Sequence, residues 1–267
     1  MKLPVRLTPE KASKWIDALK LSPKQGRVGH KDLEILIGKM CFSQTCLFGK
    51  FDRCQLRARY LKIRMKWYIP TFSAYEISAA RRSISIMHNV SPRMVVSVSS
   101  MADWVFYTDA DSLAGIIDAV DFQGTPSGFR AVSEAFASTV PEVWMRQFRY
   151  TNCIFGFGLL APVAFLLTWM TVLAGKRVIV FIHNSAALSA LIRGDSISGI
   201  STALVDVFWR ISQEDNLRIW IARVRPNLNI SDLTARHVRI SCQKKKALSF
   251  KNLFQLLPDI LRWRVVV

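Results

Sequence analysis

Between Tyr150 and Gly175 the chain carries no charged residue, and this run limits its possible folds more than any other feature. An apolar stretch of about 20 residues can cross a bilayer, and Arg149 on one side with Lys176 and Arg177 on the other would sit at the interfaces. The same stretch can instead form a helix buried on every side in a globular core. Gly156, Gly158 and Pro162 interrupt it, and the strand-like run RVIVFIHN follows almost immediately. Such a strand needs neighbours on its own side of any membrane. Ile154 to Leu173 is therefore expected to be a core helix, with a single-pass membrane protein spanning about 150–175 as the alternative.

Charge is the second constraint. Lys and Arg number 37 against 19 Asp and Glu, a net +18 over 267 residues of which 51% are hydrophobic. Such a chain can bury a sizeable core, and its charge suits a polyanion, either nucleic acid or an acidic membrane surface. Solubility is the plainer reading of the same cations. The five cysteines, Cys41, Cys46, Cys54, Cys153 and Cys242, form no CxxC pair, so reduced thiols are expected. His30 with Cys41, Cys46 and Cys54 could be imagined as a zinc site, but the spacings match no common zinc module. The opening MKLPVRLTPEKASKW has no apolar core of signal-peptide length, which points to an intracellular protein, nuclear or cytoplasmic.

Along the chain the pattern changes from helical to mixed. Thr8 can cap a helix that starts at Pro9, and Leu33, Leu36, Ile37, Met40 and Cys41 fall at helical spacing. In FDRCQLRARYLKIRMKWY, the cations Arg53, Arg57, Arg59, Lys62, Arg64 and Lys66 interleave with Tyr60, Trp67 and Tyr68. Cations hold phosphates and rings stack on bases; a solvated helix face with its aromatics turned inward remains the other reading. Residues 1–75 are taken as a helical, basic segment and 76–100 as a linker. From 101 to 238 strands alternate with helices: WVFYTDAD, GIIDAVDF, a loop with Gly124, Pro126 and Gly128, the apolar helix, RVIVFIHN, SAALSALIRG, TALVDVFWRISQ and LRIWIARV. That order indicates an α/β layer with at least one parallel strand pair. Residues 239–267 form a basic, amphipathic tail with no assigned place.

The succession YTDA, NCIFGFGLLA, GKRVIVFIHNSAALSALIRG and LRIWIARVRPNLNISDLTAR resembles the ribonuclease H region of reverse transcriptases from DIRS-like, tyrosine-recombinase retroelements. The likeness runs from about Trp104 to Arg236. The upstream KDLEILIGKMCFSQTCLFGKFDRCQLRARY is similar to the helical segment that follows the polymerase palm in that family. The resemblance implies a ribonuclease H-like mixed sheet flanked by helices, preceded by a small helical segment. It also implies a nucleic-acid partner, an RNA/DNA hybrid or duplex, and leaves open a reverse transcriptase palm domain as a second one. The paired aspartates of a polymerase are missing here, so this chain alone should not polymerise DNA. A membrane partner is not expected.

In the family, four carboxylates hold two divalent metals that activate water and stabilise the leaving oxygen. Carried over by position, Asp109 in YTDA matches the first aspartate and Asp232 in NISDLTAR the last. Gly158 stands where the family has glutamate, and His183 where it has the second aspartate. Mg²⁺ or Mn²⁺ would be the metal, and its binding is expected to be weak or absent, because Mg²⁺ requires oxygen ligands in octahedral geometry. His183 could serve a softer ion through its imidazole. The expectation is a retroelement-derived fragment that binds nucleic acid and cleaves it weakly or not at all. An active metal-dependent ribonuclease H, with Asp111 or Asp195 filling the vacancy, is the alternative.

Overall fold

The computed structural model describes residues 3–5, 8–10, 13–14, 17, 31, 34–35, 37–39, 41, 93–95, 102–125, 128–129, 134–149, 153–196, 199–231 and 244–245. The chain divides into two compact units, Met1–Ser99 and Ser100–Val267. In the first, β1 (Leu3–Val5) pairs antiparallel with β2 (Arg93–Val95). Its other described residues are helical from Pro9, immediately after Thr8, and Ile37 is buried. The basic run from Arg53 to Lys66, with His30, Cys46 and Cys54, lies outside the described residues.

The second unit is built on strands β3 (Trp104–Asp111), β4 (Ile116–Thr125), β5 (Gly128–Phe129), β6 (Glu134–Thr139), β7 (Arg177–Ile182), β8 (Arg218–Arg223) and β9 (Lys244–Lys245). The body of the sheet runs β8-β7-β3-β4-β6, with β9 beside β6 and β5 on the end of β4. β3, β4 and β6 are antiparallel neighbours, whereas β7 is parallel to β3 and β8 parallel to β7. Four helices accompany the sheet among the described residues: α1 (Glu142–Arg149), α2 (Cys153–Leu173), α3 (Ser185–Arg193) and α4 (Gly199–Glu214). The fold is α/β, a mixed sheet flanked by helices, an arrangement compatible with a ribonuclease H-like fold.

Residue chemistry explains the strands. In β3, alternation sends Phe106 and Thr108 to one face and Tyr107 and Asp109 to the other. Phe106 stacks on Phe165 at 4.4 Å and meets Trp169 edge-on at 5.4 Å, both rings on α2. Tyr107 stacks instead on Phe181 of β7 at 4.8 Å. Burial raises the Tyr107 phenol above its ordinary range. The β3–β4 hairpin turns through Gly115 in left-handed backbone, and the Asp111 carboxylate accepts the amides of Leu113 and Ala114 at 2.8 and 3.0 Å. Gly124 and Gly128 lie in strands, not in the loop expected of them. A Cβ at Gly124 would come within 2.3 Å of the Ala102 carbonyl oxygen, so glycine lets β4 run on past that backbone while donating to Asp103 O.

The uncharged run is α2. Its residues from Gly156 to Leu166 are buried without a break, because the helix packs on β3 and β4 and is also contacted by α1, α3 and α4. It has the length and hydropathy to cross a bilayer, yet 67% of its most apolar window is buried inside the unit. Pro162 has no amide to donate to the carbonyl of Gly158, one turn earlier, so this is the turn where the helix is least tied to itself. Helix α3 is tightly bounded. Asn184 caps its first turn by accepting from Ala187 N, and Gly194 closes it in left-handed backbone, donating to Ala190 O and Leu191 O.

Candidate functional site

Parallel register assembles the site. Thr108 on β3 is opposite Ile182 on β7, so the next residues on each strand, Asp109 and His183, emerge side by side at the same end of the sheet. His183 Nδ1 lies 2.8 Å from Asp109 Oδ1, and the same oxygen accepts from Ala110 N at 2.7 Å. The Asp109 side chain is only 7% exposed. Thr108 Oγ1 ties the strands further by donating to Phe181 O at 3.3 Å.

The turn leaving β7 holds the helix wall of the cleft. Asn184 Oδ1 accepts from Ala187 N at 2.9 Å, and its Nδ2 donates to Ile154 O, near the start of α2, at 3.0 Å. Gly158 is one turn further along α2, and a Cβ there would meet Asn184 Cγ and Nδ2 at 3.0 Å. Asp109, His183, Asn184, Gly158, Ile154 and Ala161 line one cleft of about 240 Å³, its open mouth included. Most of that space is open to solvent, and the enclosed part is too small for an organic ligand.

Three of the four positions marked by the resemblance, Asp109, Gly158 and His183, therefore meet at one place. The fourth, Asp232, lies outside the described residues. Asp111 and Asp195 do not line the cleft. Asp111 holds the hairpin turn, and Asp195 accepts from Ser196 N at 2.8 Å. One acid is not singled out by the sequence pattern: Asp118 is fully buried and directly opposite Asp109 in the β3–β4 register. An aspartate inside the apolar run GIIDAVDF is the available signal, since buried acids are rare unless partnered.

The described residues do not fit a pair of Mg²⁺ ions. Among them no group of three or more His, Cys, Asp or Glu side chains is placed to hold a metal. Gly158 offers no ligand atom, and the His183 imidazole stands 2.8 Å from one oxygen of Asp109. What the arrangement can do is hold a buried carboxylate beside an imidazole at the mouth of a small cleft. No protein-family model matches the chain, and no curated protein matches it.

Proposed function

We propose that the chain is a retroelement-derived reverse transcriptase fragment whose degenerate ribonuclease H-like domain binds nucleic acid, an RNA/DNA hybrid or duplex, and cleaves it weakly or not at all. The observation that carries this reading is the convergence of Asp109, Gly158 and His183 on one cleft at the end of β3 and β7. Two of those three positions lack the carboxylate that a two-metal mechanism needs. Asp109 contributes a buried acceptor, His183 stands within hydrogen-bonding distance of it, and Gly158 lets α2 approach the turn after β7. The net +18 charge supports a polyanionic partner, held through Arg53, Arg57, Arg59, Lys62, Arg64 and Lys66, with a palm domain supplied by another chain. A membrane partner and an intact nuclease are weaker readings: α2 is mostly buried, and the carboxylate of Asp111 already serves its own turn.

The test is cleavage of a labelled RNA/DNA hybrid by the purified chain with Mg²⁺. Trace cleavage at most is expected, and robust, EDTA-sensitive cleavage overturns the reading. The companion variant combines Gly158→Glu with His183→Asp and should gain Mg²⁺ affinity by calorimetry. Asn184 must give way for it to do so. If no affinity appears even when Asn184→Ala is added, the positional assignment of Gly158 and His183 fails.

A further inference from the structure

The edge of the sheet at β8 carries an arrangement that the cleft does not use. β8 ends the strand order, and alternation puts Arg218, Trp220 and Ala222 on the face away from α3, with Ile219 and Ile221 turned the other way. Trp220 is 70% exposed, a large ring held on a rigid strand and presented to solvent. Arg218 precedes it on the same face, about 7 Å away along the strand. Arg223 ends the strand on the Ile219 and Ile221 face, and the exposed Arg225 follows beyond the strand end. Among the described residues no carboxylate pairs with Arg218, Arg223 or Arg225. Their neighbour Arg177 is different, because Asp103 neutralises it at 2.7 Å.

Charges on an edge strand can simply prevent other strands from pairing with it. A guard of that kind requires charge alone, and an exposed tryptophan at its centre works against it. A ring with cations before and after it along one extended strand is instead the pairing that binds single-stranded nucleic acid: the π-face stacks a base of any identity, and the guanidiniums take the flanking phosphates. We infer that the β8 edge, with Trp220 at its centre, Arg218 before it on the same face and Arg225 beyond the strand end, is a binding site for a single strand of nucleic acid. It does not rest on the reading of the cleft, since it uses none of the cleft's residues.

The experiment is fluorescence anisotropy of the full chain with a labelled oligothymidylate, an oligouridylate and a duplex of the same length. Trp220→Ala should weaken binding of both single strands about tenfold, leave duplex binding within twofold and keep the salt dependence unchanged. Trp220→Phe, which preserves a stacking face, should keep most of the affinity. Arg218→Gln with Arg225→Gln should flatten the slope of log affinity against log salt by about 0.7 for each phosphate no longer held. Single-strand affinity that stays within twofold in Trp220→Ala overturns the site. So does sedimentation showing a dimer that Trp220→Ala converts to monomer with oligonucleotide binding intact, which would make the edge an interface between copies. Hybrid cleavage reads the cleft and single-strand anisotropy reads this edge, so failure here and failure of the cleft reading can be told apart.

Discussion

Strands β3 and β7 lie side by side in parallel, and each end of the pair carries an acid from one strand beside a base from the other. At the entering end Asp103 meets Arg177; at the leaving end Asp109 meets His183. Both acids and both bases are six positions apart, so one register brings both pairs together. The two ends are otherwise unlike. Arg177 is always charged, grips Asp103 through its side chain at 2.7 and 3.2 Å, and also donates its backbone N–H to the same carboxylate at 2.8 Å. His183 Nδ1 lies 2.8 Å from a more deeply buried acid, in a cleft walled by a glycine. The first pair locks strand order. The second lines the cleft, and its acid is the more deeply buried of the two.

Breaking the leaving end should have the larger effect. His183→Ala removes a partner from a buried carboxylate, and losing a hydrogen bond to a buried charged group costs about 1–3 kcal/mol. Urea unfolding should therefore show a lower midpoint with an unchanged slope, and His183→Gln should recover part of the stability. In a double-mutant cycle with Asp109→Asn, the coupling should exceed about 0.5 kcal/mol, as expected for residues that touch. A cost within experimental error, with no coupling, would mean that the pairing is incidental.

The entering end should show a smaller loss with a distinct pH signature. The Arg177 hydrogen bond holds the Asp103 carboxyl below the ordinary carboxylate range, with the backbone hydrogen bond and charge of Arg177 helping and burial opposing. A depressed folded value stabilises the protein at any pH above the unfolded value of about 3.9. The stabilisation is lost as pH falls through the lower folded value. Because the pair is about a third exposed, screening limits it, and Asp103→Asn should cost about 1 kcal/mol at pH 7. The gap between this variant and the native chain should be flat from pH 7 to about 5 and close as the pH drops below about 4. A gap that widens on acidification would contradict the assignment.

These two ends also show how far the residues can be read in advance. WVFYTDAD is β3 residue for residue, and RVIVFI is β7, since β-branched and aromatic runs bounded by polar residues leave little choice. The caps of α3 are equally plain in Asn184 and Gly194. β6, EAFAST, escapes a reading of pattern because alanine and serine carry little strand preference, and only pairing with β4 makes it a strand. Helix α1, EVWMRQFR, escapes it too, although Trp144 and Phe148 at i and i+4 are both fully buried. The pairing of Lys244–Lys245 with β6 joins residues far apart in sequence, which no local pattern announces. Asp109 and His183 can each be picked out as strand-end residues. Their meeting needs the register, and the two bonds made by Asn184 need the packing of α2 against the turn after β7.

That packing yields the smallest and sharpest effect. Replacing a glycine inside a helix with alanine ordinarily stabilises by about 1 kcal/mol, because the unfolded chain loses freedom. At Gly158 the new methyl would stand 3.0 Å from Asn184 Cγ and Nδ2 and 3.1 Å from its Cβ, so Asn184 must shift by a few tenths of an ångström. Asn184 cannot do so freely, since one end of its amide caps α3 and the other holds Ile154 O. Loosening that cap costs about 1 kcal/mol. The two contributions nearly cancel, and Gly158→Ala alone should change stability by less than about 0.5 kcal/mol. In an Asn184→Ala background the obstruction is gone, and the same substitution should stabilise by about 1 kcal/mol. The Asp103–Arg177 end, tested by Asp103→Asn in the same backgrounds, should respond additively, because it shares no partner with either residue. Equal effects of Gly158→Ala with and without Asn184 would show that the glycine is not there to admit the asparagine, and the cleft would lose its explanation for a missing side chain at that position.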